Sequence, residues 1–189
     1  FFSHGLRALA DALSSFARVV VVAPETEQSA TSHSLTLHRP LRLRRYAEDR
    51  FALDGTPADC VYLAVHLGES VLPRKPDLVV SGINRGINLG QDIFYSGTVA
   101  AAREGALRGI PSIAVSVGIV ADEAGAYTFE PAFAAELVTK LARQVIAMPK
   151  AEGAPAYLFN LNVPAGPVKG LVPTKLGTRL WSEAVDSRI

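Results

Sequence analysis

Residues 78–109 form the segment that most constrains the fold of this chain. The segment opens with an apolar run at residues 78–80, passes through a loop rich in glycine and asparagine, and enters a helical pattern at Ser96. A β-branched run that leads through a loop into a helix is typical of a βα unit in a parallel sheet. The loop offers amides, hydroxyls and backbone N–H groups with little bulk, which suits a small anion with a metal ion beside it. The segment therefore predicts a parallel α/β architecture and a polar site.

The remaining chain repeats this alternation of helices and short buried strands. Helical spacing predicts a helix over residues 6–16, with Ser3 as the N-cap, and a helix over residues 131–148 with Phe133, Leu137, Leu141 and Val145 on one face. A further helix is predicted to begin near Thr98, with Gly109 as the C′ residue. Another is predicted from Thr56 to Leu67, in which Thr56 can cap, Pro57 suits the first position and Asp59 favours the positive end. Its apolar side is formed by Val61, Leu63, Ala64, Val65 and Leu67. Strands are predicted at residues 18–23, 35–37, 51–54, 78–80, 112–117 and 157–163. The predicted fold class is α/β, a three-layer, Rossmann-like, doubly wound and mostly parallel sheet, in one domain over residues 1–189.

Three further segments are predicted with less regular structure. Residues 38–50 carry five arginines and predict an exposed hairpin or edge strand. Residues 118–130 predict an acidic loop, and residues 171–180 an extended edge. No strand precedes the first helical pattern, although a sheet of this kind begins with one.

Composition narrows the classes of function. The 189-residue chain is 49% hydrophobic and has a formal net charge of +1, so it can bury a core and gives no argument for binding nucleic acid or membranes. Its single cysteine, Cys60, excludes an internal disulfide framework and fits a reducing compartment. No apolar run approaches the roughly 20 residues of a membrane span.

Polar side chains collect in three loops of the predicted sheet. Because ligands of open α/β sheets bind beyond the carboxyl ends of the strands, these loops are expected to meet. Hydroxyl and amide oxygens suit a hard cation such as Mg²⁺ or Mn²⁺, whereas a helix N-terminus favours phosphate. The candidates are Ser29, Ser32, His33 and Ser34 in the first loop, Asn84, Arg85 and Asn88 in the second, and Ser96, Gly97 and Thr98 at the helix start.

Each candidate also has an ordinary structural interpretation. Thr98 can cap a helix without binding a ligand, and His33 can be a hydrogen-bonded loop residue instead of a proton donor. Two neutral ligands do not make a metal site by themselves, and Asp92 is the only acid in the central loop. The arginines of residues 38–50 can form a solvated face or attract an anionic substrate.

Motifs of several other enzyme classes are absent from the sequence. The dinucleotide fingerprint and the Walker A pattern do not occur, and Gly82, Gly86 and Gly90 are spaced by four, which matches neither. The chain also lacks a GxSxG elbow and a Cys/His cluster. These absences disfavour a redox enzyme, a serine hydrolase and a zinc site.

Four sequence blocks together resemble the SurE (survival protein E) family. They are VVVVAPETEQSATSHSLTLHRPLRL, LDGTPADCVYLA, DLVVSGINRGINLGQDIFYSGTVAAAREGALRGIPSIAVSV and FNLNVPAG, in the family's order. The resemblance implies a Rossmann-like fold and a divalent-metal-dependent phosphatase acting on nucleoside monophosphates as a 5'/3'-nucleotidase, in some members also on short polyphosphate. It also implies a cytoplasmic homodimer or homotetramer.

The same resemblance implies roles for individual residues. Ser29 and Asn84 correspond to the family's metal ligands, with Mg²⁺ or Mn²⁺ as the cofactor, and Asn88 and His33 are the candidate catalytic residues. The phosphate-binding residues are Asn88, Ser96, Gly97 and Thr98.

The sequence departs from the family pattern at its start. Family members carry a first strand that ends in Asn-Asp-Asp-Gly, and this aspartate pair supplies the carboxylates of the metal site. Residues 1–5 resemble the segment just after that motif, so the first strand and a C-terminal arm are expected to be missing from this chain. If the aspartate pair is absent from the whole protein, the alternative is a non-catalytic nucleotide- or phosphate-binding module.

Overall fold

The structure is a computed structural model that describes residues 3–121, 127–149 and 155–178. Helices and strands alternate along these residues, as the sequence predicts. The elements are α1 His4–Leu13, β1 Val21–Pro24, β2 Leu43–Ala47, β3 Arg50–Leu53, α2 Pro57–Leu67, β4 Val79–Arg85, α3 Gly97–Leu107, β5 Ser112–Val117, β6 Val120–Ala121, β7 Tyr127–Thr128, α4 Ala132–Ala147 and β8 Leu158–Val163, with 3₁₀ turns at Gly68–Ser70 and Gly90–Phe94.

The strands form two three-stranded sheets and a separate short hairpin. The first sheet has the order β1-β3-β2, in which β1 and β3 are parallel and β2 runs antiparallel to β3. The second has the order β4-β5-β8 and is parallel throughout. Every residue of β5 is buried, as a parallel strand covered on both faces requires. β6 and β7 pair as the antiparallel hairpin.

Helices cover both faces of the second sheet, which confirms the three-layer arrangement. Alternate residues of β5 point to opposite faces. Val115 packs in the cluster that includes Leu9 of α1 and Val138 of α4, whereas Ala114 packs against Val99 and Ala102 of α3. Small side chains along α3 and α4 allow the helices to approach the sheet closely.

An apolar cavity of about 150 Å³ lies between β1 and β4. Its walls come from α1, α2 and the two strands, with Leu9, Val21, Ala64 and Val79 among the lining residues. Within the described ranges, β1 pairs only with β3, and β4 pairs only with β5. The strand expected before α1 stays a prediction. Cys60 also lines the cavity and is buried, as expected for a small core residue.

Local signals at the helix starts are confirmed. The Ser3 hydroxyl accepts a hydrogen bond from the Leu6 N–H at 3.3 Å, which caps α1. At the start of α2, Thr56 and Asp59 form a reciprocal capping box, and Pro57 occupies the first turn. The left-handed Gly109, at φ +70°, follows the end of α3 as predicted.

Several predicted elements are wrong. Residues 35–37 form no strand, because the Asp59 carboxylate accepts hydrogen bonds from the Thr36 N–H and hydroxyl and holds this segment against α2. The predicted loop at residues 118–130 contains β6 and β7. Residues 171–178 form no strand, and residues 179–180 lie outside the described residues.

Two apolar residues predicted to face the core are on the surface. Phe133 of α4 is 52% exposed and Leu67 of α2 is 42% exposed. The buried side of α4 is instead formed mainly by alanine and valine, because the small side chains bring the helix closer to the sheet and turn the larger residues to the margin. β1 also begins at Val21 instead of residue 18, because its pairing with β3 starts at Val21 and Arg50.

Candidate functional site

The three predicted loops meet at the N-terminus of α3. Ser32 of the first loop donates through its hydroxyl to the Phe94 carbonyl at 2.6 Å and through its N–H to the Tyr95 carbonyl at 3.0 Å. Thr98 in the first turn of α3 donates to Asn84 Oδ1 at 3.4 Å. Residues from three separate segments are therefore brought to one edge of the fold.

The start of α3 has the features of an anion-binding helix terminus. Ser96 is the N-cap, and its hydroxyl accepts a hydrogen bond from the Val99 N–H at 3.1 Å. The N–H groups of Gly97 and Thr98 belong to the first turn and have no partner within the helix. Among the described residues they also have no other hydrogen-bond acceptor. These two N–H groups and the positive end of the helix dipole favour a bound anion.

Gly97 is required by packing within the protein. A Cβ atom at this position would lie 2.9 Å from Pro57 Cγ and 3.0 Å from Thr31 Oγ1. The start of α2 and the first loop therefore occupy the space that a side chain at position 97 would need. The backbone N–H of Gly97 can still donate to an anion, so its assignment to the phosphate-binding set stays a prediction.

A bulge in β4 determines the position of Asn84. The pairing of β4 with β5 shifts between Ser81 and Asn84, which adds one residue on the β4 side. Gly82 lies in this bulge at φ +140°, and a Cβ atom there would lie 2.5 Å from the Val115 carbonyl oxygen. Asn84 Nδ2 donates to the Gly86 carbonyl at 2.7 Å. The Oδ1 atom therefore faces Thr98 and is the oxygen that could ligate a metal ion.

Asn88 connects the second loop to the core of the sheet. It is 8% exposed, and its Nδ2 donates to Ser116 Oγ at 2.7 Å. Its backbone N–H donates to Asn162 Oδ1 at 2.7 Å, and its carbonyl accepts from the side chains of Asn160 and Asn162 at 2.9 and 3.1 Å. The structure thus gives Asn88 an anchoring role, and its predicted catalytic and phosphate-binding roles remain untested.

Sequence reasoning missed Ser116, Asn160 and Asn162 as the partners of Asn88. A signal was present, since strands are poor in asparagine and β8 contains two of them, at alternate positions that share one face of the sheet.

His33 lies in a chain of charged and polar groups. Its Nε2 is 2.8 Å from Oε2 of Glu104, which is 2% exposed. Its Nδ1 accepts a hydrogen bond from Arg103 Nε at 3.0 Å, so the ring hydrogen on Nε2 is directed at Glu104. The other carboxylate oxygen of Glu104 accepts from Arg108 at 2.7 Å. Both ring nitrogens are engaged, and the proton-donor role of His33 stays a prediction.

Ser29 lies on the exposed part of the first loop. Its hydroxyl donates to Glu27 Oε1 at 2.8 Å, so Glu27 is a carboxylate beside the predicted metal ligand that sequence reasoning did not select. Within residues 3–121, 127–149 and 155–178, no hydrogen bond joins Ser29 to Asn84 or Thr98, and no group of three or more His, Cys, Asp and Glu could hold a metal. The described residues supply neutral oxygen ligands and, beside Ser29, the Glu27 carboxylate, which fit only part of a divalent-cation site.

The arginines of residues 38–50 form local contacts. Arg39 pairs with Asp54 at 3.2 Å, Arg44 with Glu25 at 3.3 Å, and Arg50 donates to the Val19 carbonyl at 3.1 Å. These contacts favour the solvated-face interpretation over attraction of an anionic substrate, since nearby acids offset part of the charge.

A family model described as Survival protein SurE matches residues 1–183. This chain belongs to the SurE family. It is 58% identical over 186 residues to a 5'-nucleotidase SurE of Sorangium cellulosum, covering 98% of this chain and 69% of that protein. It is 49% identical to a 5'-nucleotidase SurE of Geotalea daltonii, covering 93% of this chain and 66% of that protein.

A solved structure of a SurE-family protein supports the same assignment. The chain resembles the SurE protein from Aquifex aeolicus with a TM-score of 0.81 and 42% identity, over 94% of this chain and 69% of that one. The chain thus spans about two thirds of the length of these relatives. Among the described residues, no helix has the length and apolar character needed to cross a membrane.

Proposed function

We propose that this SurE-family protein is a 5'-nucleotidase, a phosphoric monoester hydrolase that releases phosphate from nucleoside monophosphates and also acts on short polyphosphate. The supporting observation is the start of α3, where Ser96 caps the helix, Thr98 bonds Asn84, and the Gly97 and Thr98 N–H groups have no acceptor among the described residues. Relatives at 58 and 49% identity carry the name 5'-nucleotidase SurE.

The first turn of α3 would bind the phosphoryl group. The N–H groups of Gly97 and Thr98 would donate to its oxygens, and the Thr98 hydroxyl would turn from Asn84 Oδ1 to donate to them as well. The fixed N–H groups and the helix dipole would favour the negative charge that develops on those oxygens in the transition state. Asn88 would hold the adjoining loop in place through its contacts with β5 and β8.

A divalent cation, Mg²⁺ or Mn²⁺, would supply Lewis-acid chemistry and a more acidic water when bound. Ser29 and Asn84 would contribute two neutral oxygen ligands, and Glu27 is the nearest carboxylate to Ser29. Further carboxylates would be required to hold the cation.

Phosphate release by the full-length protein tests the proposal. Wild-type protein is assayed with a panel of nucleoside monophosphates after chelation and after addition of Mg²⁺ or Mn²⁺. We expect metal-stimulated release of inorganic phosphate, reduced about 10²-fold in kcat by Thr98→Ala, as for loss of one transition-state donor. Thr139→Ala, which removes a hydroxyl bonded within α4, is the matched control and should retain full activity. Folded wild-type protein without metal-stimulated release would refute the proposal.

A second candidate function is a nucleotide- or phosphate-binding module without catalysis. It is favoured by the absence, within the described part of the chain, of a cluster of acidic or histidine residues around Ser29 and Asn84. Calorimetry followed by chromatography separates the two functions, because a binding module retains the nucleoside monophosphate uncleaved.

We also propose that the protein acts as a cytoplasmic homodimer or homotetramer, which the family resemblance supports. Analytical ultracentrifugation of the full-length protein tests the assembly, and a monomer at assay concentrations would contradict it.

A further inference from the structure

We propose that Phe94 and Tyr95 form a stacking platform for the nucleobase of the substrate. The proposal rests on the nucleotidase function above and adds a base-binding subsite to it. The aromatic platform is defined as the side chains of these two residues, which directly precede Ser96, the N-cap of α3.

Both rings of the platform are open to solvent. Phe94 is 52% exposed and Tyr95 is 65% exposed. Neither ring stacks on another aromatic ring within the described residues. The flat faces of two adjacent exposed aromatic side chains suit a planar partner.

The backbone that carries the platform is fixed. The carbonyl groups of Phe94 and Tyr95 accept hydrogen bonds from Ser32 at 2.6 and 3.0 Å. The Tyr95 N–H donates to the Asp92 carbonyl at 3.1 Å. Because the backbone is already ordered, a ligand that stacks on the rings pays little conformational entropy for the loop.

The platform directly precedes the proposed phosphate-binding turn along the chain. Consecutive Cα atoms are about 3.8 Å apart, so the Tyr95 backbone lies one residue from Ser96 and two from Gly97. A phosphate bound by the N–H groups of Gly97 and Thr98 would thus leave the sugar and base of the same molecule within reach of the rings.

Stacking also predicts the specificity of the subsite. Every nucleobase presents a π-face, so base–aromatic stacking binds all bases and discriminates weakly among them. The platform therefore predicts an enzyme that requires a base but accepts both purines and pyrimidines.

The test compares substrates that differ only in the base. Steady-state kinetics of the full-length protein are measured with adenosine, guanosine, cytidine and uridine 5'-monophosphates and with ribose 5-phosphate, which has no base. Removing a stacking ring should raise KM for the nucleotides about 5- to 100-fold, with ribose 5-phosphate unchanged. The variants are Phe94→Ala and Tyr95→Ala. Tyr95→Phe should remain near wild type.

Phe133→Ala is the matched control, because Phe133 has the same 52% exposure on α4, outside the site. Equal effects on nucleotides and ribose 5-phosphate, or no effect on either, would overturn the platform. A changed sedimentation coefficient with an unchanged ratio of KM values would show that the rings contact another copy of the chain, and would also overturn it.

The proposed function and the platform can fail separately. If the wild type hydrolyses nucleotides and the alanine variants have the same KM values, only the aromatic platform is refuted. If the folded wild type hydrolyses no substrate, the nucleotidase function is refuted. Calorimetry with adenosine 5'-monophosphate then still decides the subsite, because equal Kd values for wild type and Phe94→Ala contradict stacking.

Discussion

The two three-stranded sheets both contribute loops to the candidate site but hold their polar groups differently. Around β4-β5-β8, Asn88 and Glu104 are 8 and 2% exposed and have several partners each. Around β1-β3-β2, Arg18 and Arg44 form ion pairs while their side chains are 59 and 49% exposed. Water screens exposed ion pairs, whereas a buried polar group left without a partner loses its full hydration. The β4-β5-β8 side should therefore be the more sensitive to substitution.

The comparison also shows how the two halves of the site are connected. Asn84 and Thr98 belong to β4 and α3, whereas Ser29 lies on the loop that follows β1. The contact between His33 and Glu104 ties that loop to α3. The first loop therefore depends on the buried network of the other sheet for part of its position.

The largest expected effect is loss of core packing at the centre of β4-β5-β8. Ile113 of β5 is 0% exposed, and Ile113→Ala should lower the free energy of unfolding by about 2–5 kcal/mol. Ile146→Ala on α4, where the side chain is 37% exposed, is the matched control with a much smaller expected loss. Urea denaturation followed by circular dichroism measures the unfolding free energy of both variants. Equal losses would contradict the expectation that buried residues are the more sensitive to substitution.

A smaller effect is expected from the buried ion network. Glu104→Gln keeps the shape of the side chain but removes the charge that faces His33 and Arg108, and should cost about 1–3 kcal/mol of unfolding free energy. Asp49→Asn removes the acid of the exposed pair with Arg18 and should have no measurable effect in the same urea titration. If both variants lose a similar amount of unfolding free energy, burial does not make the Glu104 contacts more important than the exposed pair of Asp49 and Arg18.

The smallest effect is a pH dependence that arises at Asp59, on the β1 side of the molecule. Burial raises the pKa of Asp59, but hydrogen bonds from Thr36 and Thr56 outweigh it, so the pKa lies below its ordinary value. The lowered pKa stabilises the fold above the unfolded-state pKa of about 3.9, and this stabilisation is lost as pH falls through the folded-state value. Asp59→Asn should therefore differ most from wild type near neutral pH.

Denaturant titrations at neutral pH and at pH of about 3 measure this difference. The difference in unfolding free energy between wild type and Asp59→Asn should shrink at the lower pH. A difference that stays constant across this range would show that the carboxylate charge of Asp59 does not stabilise the fold.

The sequence was a good guide where neighbouring residues decide the structure. The Ser3 cap and the capping box of Thr56 and Asp59 were predictable, because both depend on residues within one turn. The buried strand at Ser112–Val117 was predictable from its β-branched run. The strand predicted at residues 35–37 failed, because Asp59, 23 residues from Thr36, supplies its hydrogen bonds.

The sequence by itself determined the α/β alternation, the helix caps, the family and the polar loops that form the candidate site. Only the tertiary structure decided which of these polar groups meet. His33 reaches Glu104 across 71 residues, and Asn88 reaches Asn162 across 74. Such contacts depend on how sheets and helices pack, and no local spacing in the chain encodes them. The same packing placed Phe94 and Tyr95 on the surface beside the start of α3, although their apolar character alone would have assigned them to the core.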